Sequence, residues 1–149
     1  MKHFPTLVLA MAVFLLNSPP SFAAVNDHIG IIKLSTGDVT IERNGSPIKA
    51  TVNMKILQGD QVRTGTDGKA GMIFEDDTLI SMGPNSRISI DNFLFKPSEK
   101  SFSFITRILR GTASYISGQI AKLAPGSVRI ETPQATVGLR GTHVLVKVD

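Results

Sequence analysis

The side chains of this 149-residue chain that could do chemistry are few and scattered. His3 lies in a leader-like start. His28 and His143 have no second histidine close in sequence, and the chain has no cysteine with which they could share a zinc ion. His143 falls at the opposite parity to Val144, Val146 and Val148, so it reads as a solvent-facing strand residue rather than a general base. Glu75-Asp76-Asp77 offers carboxylates, but calcium loops space their oxygen ligands along the chain, and three adjacent acids at a turn read as a solvated turn. Gly138-Leu139-Arg140-Gly141 is not followed by a helix that could present its N-terminus to a phosphate. Neither G-x-S-x-G nor H-E-x-x-H occurs. These residues predict a protein that is not an enzyme and holds no metal or cofactor.

The elements that must position these residues are short strands. Val128, Ile130 and Thr132, then Ala135, Val137 and Leu139, recur at alternate positions, as a half-buried strand requires. The apolar set then shifts to Val144, Val146 and Val148, so the chain must bulge or turn across Arg140-Gly141-Thr142. Upstream, Ile32-x-Leu34 and Val39-x-Ile41 alternate before Asn44-Gly45, a strong hairpin signal. Ile48, Ala50, Val52, Met54 and Ile56 then keep period two, the pattern of a two-faced strand, continuous or interrupted. Gly59-Asp60, Asp67-Gly68, Asp76-Asp77 and Gly83-Pro84-Asn85 mark turns, and Ile88 and Ile90 precede a further turn signal at Asp91-Asn92. Phe93, Phe95, Phe102 and Phe104 flank a polar segment and predict a hairpin whose rings close the core. Residues 117–126 hold Gly118, Pro125 and Gly126, which leaves room for a loop or one helical turn.

The run E-T-P-Q-A-T-V-G-L-R-G-T-H-V-L-V, Glu131 to Val146, resembles the signature of the FecR-type periplasmic domain, in which a T-P-x-A segment leads into R-G-T and a closing strand. Gly37-Asp38-Val39, Leu57–Thr64, Asp77-Thr78-Leu79 and Ser86-Arg87-Ile88 resemble the same pattern in the same order. The resemblance implies an all-β fold with solenoid-like character. It marks Thr132, Pro133, Arg140, Gly141 and Thr142 as structurally specified positions, with Arg140 as a donor of a charge-assisted hydrogen bond. The best-known members are sigma regulators with a cytoplasmic segment and one transmembrane helix. Here six residues precede the apolar run, so that signalling role does not carry over. The chain also stops soon after Thr142, where the family pattern continues into further strands; this implies a truncated form or a sheet completed by another chain.

Lys2-His3, the apolar run Leu7–Leu16 and the small residues at Ser21 and Ala23 predict a signal peptide over residues 1–23, cleaved after Ala23. The run is too short for a transmembrane anchor, which needs about 20 apolar residues. Residues 24–149 then form one domain of short strands, a β-solenoid-like roll or a β-sandwich, in a periplasmic or secreted protein. The formal charge is +4, but the basic residues alternate with acidic and small polar ones, which argues against nucleic acid. With no tryptophan and one tyrosine, Tyr115, a glycan platform is poorly supplied. The expected function is therefore non-catalytic protein interaction or sensing, with an envelope or outer-membrane protein, or a second copy meeting the last strand, as partner. A ligand- or glycan-binding module of a cell-surface structure is the alternative.

Overall fold

A computed structural model describes residues 27–139 and 143–149. Twelve strands occur among them: β1 His28–Thr36, β2 Val39–Arg43, β3 Ser46–Lys49, β4 Lys55–Leu57, β5 Gln61–Thr64, β6 Lys69–Phe74, β7 Leu79–Met82, β8 Arg87–Lys96, β9 Ser101–Ile116, β10 Val128–Glu131, β11 Thr136–Gly138 and β12 His143–Val148. One helical turn, α1 Gln119–Leu123, follows β9. No helix among the described residues is long and apolar enough to cross a membrane.

The architecture is all-β, and it is a roll: one sheet, antiparallel except where β10 runs parallel to β9, curls so that its two halves face each other. Strand β9 belongs to both halves. Its first part pairs with β8 on one side and β10 on the other, giving a first layer β3-β2-β5-β8-β9-β10-β11. Its last part, from Gly111 onward, lies between β7 and β12, giving a second layer β4-β1-β6-β7-β9-β12.

Sequence chemistry explains most connections. Asn44 and Gly45 have φ of 51° and 76°, the two left-handed residues of a tight hairpin, and join β2 to β3. Asp67-Gly68, Asp76-Asp77 and Gly83-Pro84-Asn85 turn the chain as expected. The alternating run from Ile48 is broken: β3 ends at Lys49, Val52 is half-exposed, and only Ile56 of β4 is fully buried. Asp91-Asn92 is not a turn but a bulge inside β8, where the register against β9 slips between Ile90 and Asn92. The slip moves burial from the parity of Ile88 and Ile90 to that of Phe93. The alternation through Val128–Leu139 is likewise not one strand. Thr132–Ala135 reverses the chain, and β10 and β11 pair as a hairpin.

The core is the space between the layers. Ile41, Val62, Ile88, Ile90, Ile108 and Ile130 enter it from the first layer, and Ile32, Met72, Ile80 and Tyr115 from the second. Phe104 joins them, with its ring centroid 4.9 Å from those of Phe74 and Phe93 and 5.9 Å from Tyr115. The expected aromatic hairpin is therefore present: Phe93 and Phe104 are buried, while Phe95 and Phe102 pack at its margin.

Two turns are tied by a buried ion pair. Asp60, 1% exposed, receives Arg43 Nε at 2.9 Å and Nη2 at 2.7 Å, and its Oδ2 also accepts the Leu57 N–H at 2.8 Å. Arg43 Nη2 reaches the Lys55 carbonyl as well. Hydrogen bonding to Asp60 raises the Arg43 pKa above its ordinary value. A desolvated carboxylate is stable only with its lone pairs occupied, and here the β4–β5 turn and β2 supply the donors.

The change of layer within β9 needs Gly111. Its φ is +87°, and a Cβ there would collide with Ser86 Oγ and lie 2.6 Å from Ser86 Cα. Ser86 Oγ accepts from the Thr112 N–H at 3.0 Å, so the neighbour cannot withdraw without breaking the bend. Gly111→Ala should lower the unfolding free energy by about 2–4 kcal/mol, the sum of backbone strain and overpacking. Urea denaturation checks this, and a loss below about 0.5 kcal/mol, the range of a neutral surface change, would contradict it.

Candidate interaction surface

Because successive strand residues point to opposite faces, the burial of Met72, Phe74, Ile80, Met82, Ala113 and Tyr115 sends their neighbours outward. Several of those neighbours are apolar. Register aligns them into a row across the second layer: Ile31 faces Ile73, Ile73 faces Leu79, Leu79 faces Ile116, and Ile116 faces His143. A parallel row runs Leu34, Gly71, Ser81, Ser114, Leu145. Leu34, Leu79, Ile116 and Leu145 are 50%, 38%, 41% and 76% exposed. Large apolar side chains gathered on one outer face mark an interaction surface more often than scattered ones do.

The surface ends at β12. Val144, Val146 and Val148 turn inward as expected, and His143, Leu145 and Lys147 turn outward. Among the described residues β12 pairs with β9 alone, so its other edge presents backbone donors and acceptors.

The residues singled out by sequence fall in different places. Thr132 closes the β10–β11 turn: its N–H donates to the Ala135 carbonyl at 2.8 Å, and its hydroxyl accepts the Ala135 N–H at 3.1 Å. Pro133 is exposed in the same turn. Arg140, Gly141 and Thr142 lie outside the described residues, as does the bend expected there. His143 meets a hydroxyl, with Nε2 2.8 Å from Ser114 Oγ in an exposed pair across β9 and β12. His28 Nε2 lies 3.8 Å from Glu75 Oε1.

The acidic triplet is not a solvated turn throughout. Glu75 and Asp77 are exposed, but Asp76 is fully buried. Its Oδ1 accepts the Thr78 N–H, and its Oδ2 accepts the Thr78 hydroxyl at 2.8 Å and the Ile120 N–H at 3.2 Å. Asp76 thus fastens α1 to the β6–β7 turn, and Gly118 N–H completes the link by donating to Thr78 Oγ1. Sequence inspection missed this role because the contact spans more than 40 residues. It also missed Ser114, whose relation to His143 depends on strand register. The apolar outer row did leave a signal, since Met72-Ile73-Phe74 and Leu79-Ile80 are apolar at both parities, the mark of a strand covered on both faces.

Comparison with protein families decides the relationship. The model described as FecR protein matches residues 60–149, from the buried Asp60 through β12. The chain belongs to the FecR family. No curated protein and no solved structure matches it. In this FecR chain the matched region holds both the apolar outer row from Ile73 onward and the edge strand β12, whereas Arg43, the partner of Asp60, precedes it.

Beneath the surface, the Tyr115 hydroxyl is buried with no hydrogen-bond partner among the described residues. Burial pushes its pKa up to about 12; the nearby Thr78 works weakly the other way without reaching hydrogen-bond geometry, and the charge of Asp76 adds to the rise. The folded pKa lies above the unfolded value of about 10, so the folded state holds this proton longer. The stability it contributes is complete below about pH 10 and is lost as the pH rises to about 12, by about 2–3 kcal/mol in all. Tyr115 is the only tyrosine and there is no tryptophan, so phenolate absorbance reports it alone. Folded protein should titrate near pH 12 and urea-unfolded protein near pH 10; a folded midpoint at the unfolded value would refute the burial argument.

Proposed function

We propose that this FecR domain is a non-catalytic regulatory or sensing module that works outside the cytoplasm by protein contact. The observation that carries the reading is the apolar outer face of the second layer, which ends in Leu145, 76% exposed, on a strand with an unpaired edge among the described residues. An extended segment of an envelope or outer-membrane protein fits both features. Its backbone would pair with β12, and its apolar side chains would cover Leu145 and Ile116. A second copy of the chain is the other partner this edge would take. The location follows from the expected signal peptide over residues 1–23, and family membership supports the regulatory role.

On this reading Ser114 and His143 are a polar cross-strand pair at the rim of the contact. They require no catalytic role: the cavity beside Ser114 is lined by Ser81, Gly83, Thr112 and Leu145, and His143 does not line it.

The test uses the full chain with a C-terminal tag, expressed in its source cells, crosslinked mildly and captured from detergent-solubilised envelope. Leu145→Asp, at a site exposed enough to leave folding intact, should reduce recovery of a specific envelope partner by about tenfold or more, as loss of an interface anchor does. Circular dichroism of the variant should match that of the parent. Undiminished capture would sink the assignment to this surface, and recovery of the chain alone would replace the envelope partner with self-association.

A further inference from the structure

The outer face of the first layer has a different character. Register places Lys49 opposite Thr40, Thr40 opposite Arg63, Arg63 opposite Arg87, and Arg87 opposite Arg110. Three arginines therefore occupy successive cross-strand positions on β5, β8 and β9, within about 10 Å given the ordinary strand spacing. Like charges placed directly opposite one another destabilise a sheet.

The arrangement depends on a bulge. Ile88 pairs with Ile108, so an unbroken ladder would set Leu109 against Arg87; instead the register slips and Arg110 takes that place. The slip immediately precedes the Gly111 bend, so the layer change and the third arginine come from the same few residues.

Little inside the protein neutralises the row. Arg63 reaches Glu42 at 3.5 Å in an exposed pair, a weak interaction. Arg107 in the next row is already engaged by Asp91 at 2.9 Å and Glu131 at 3.6 Å. Beyond the backbone pairing of their strands, the side chains of Arg87 and Arg110 make no hydrogen bond or ion pair with any described residue.

The arginines open onto a cavity of about 580 Å³, whose lining also includes Thr66, Asn85 and Asp38. Its floor is held by backbone bonds from Gly65 N–H to the Asp38 carbonyl and from Asn85 N–H to the Gly65 carbonyl. Guanidinium forks match phosphate oxygens, and the cavity is larger than a phosphate alone requires. The single carboxylate, Asp38, would repel an anion placed beside it but accepts hydrogen bonds from hydroxyl groups.

We infer that this cavity binds a phosphorylated sugar, with the phosphate on Arg63, Arg87 and Arg110 and sugar hydroxyls on Asp38. The site lies on the opposite layer from the proposed protein contact and does not rest on it.

The experiment follows thermal unfolding of the full chain at low, matched ionic strength with glucose 1-phosphate, inorganic phosphate, glucose or chloride. Glucose 1-phosphate should raise the midpoint saturably, inorganic phosphate should do so at higher concentration, and glucose and chloride should not. Arg87→Gln removes the central like charge, so its ligand-free midpoint should equal or exceed the parent's, while the half-saturating glucose 1-phosphate concentration rises by about tenfold or more. A purely structural arginine would lower the ligand-free midpoint instead. Asp38→Asn should weaken glucose 1-phosphate and leave inorganic phosphate as tight or tighter. Co-sedimentation with phosphatidylinositol 4-phosphate vesicles, absent with phosphatidylcholine vesicles and lost in Arg87→Gln, would support the site and assign it to a lipid headgroup; no sedimentation alongside saturation by glucose 1-phosphate would support it and assign it to a soluble ligand. No phosphate-dependent shift, a shift unchanged in Arg87→Gln, or tighter binding to a short DNA duplex than to glucose 1-phosphate would overturn the proposal.

Discussion

Everything in this roll hangs on one strand serving two layers. β9 gives its first ten residues to one half of the sheet and its last six to the other, and it can do so only because Gly111 takes a left-handed conformation against Ser86. Ser86 is fixed in turn, since its N–H donates to Thr64 Oγ1 and its hydroxyl lies 3.2 Å from the Thr112 carbonyl. The aromatic centre of the core depends on the same strand. Phe104 precedes the bend and Tyr115 follows it, so the bend sets the distance at which the two layers meet. Without that change of direction the halves would form one open sheet with an uncovered apolar face.

Two buried carboxylates lock the periphery to this frame. Asp60 and Asp76 are each almost wholly removed from water, a costly state for an ionised group, and each is held by one local and one remote partner: Leu57 and Arg43 for Asp60, Thr78 and Ile120 for Asp76. Asp60 joins β2 to the β4–β5 turn, which is also bonded to β8 through Gly59 N–H to the Ile90 carbonyl. Asp76 holds α1 against the β6–β7 turn. Such groups define one arrangement of elements, because any alternative would leave a desolvated charge unpaired.

The sequence revealed most where local chemistry decides the outcome. Asn44-Gly45 and Asp67-Gly68 carry turn chemistry in adjacent residues and form turns, and the four phenylalanines around residues 96–100 form the expected hairpin, with Phe93 and Phe104 in the core and Phe95 and Phe102 at its margin. Reading failed where pairing decides. Asp91-Asn92 has turn chemistry, yet β9 lies alongside and holds both flanks in register, so the same residues bulge. The hairpin at Thr132–Ala135 was hidden because apolar residues alternate on each side of it, and only the β10–β11 pairing reveals the reversal. Arg63, Arg87 and Arg110 lie far apart in sequence and looked like scattered charge; strand order brings them into one row. One echo was available: Leu109-Arg110-Gly111-Thr112 repeats the tetrapeptide Leu139-Arg140-Gly141-Thr142. The first copy marks both the bend and the third arginine.

The two outer faces therefore differ in kind, one apolar and ending at β12, the other basic around a cavity, and β9 contributes to both. Their relation depends on β9 acting as a single unit. Native-state hydrogen exchange tests this most directly. If β9 is the shared spine, the amides of Thr106 and Ile108 before the bend and of Ala113 and Tyr115 after it should exchange through one opening, at the free energy of global unfolding. Should residues 113–116 and β7 open at a free energy about 2 kcal/mol or more below that of residues 104–108, the layers would be separate cooperative units, and the account of a fold organised on one bent strand would fail.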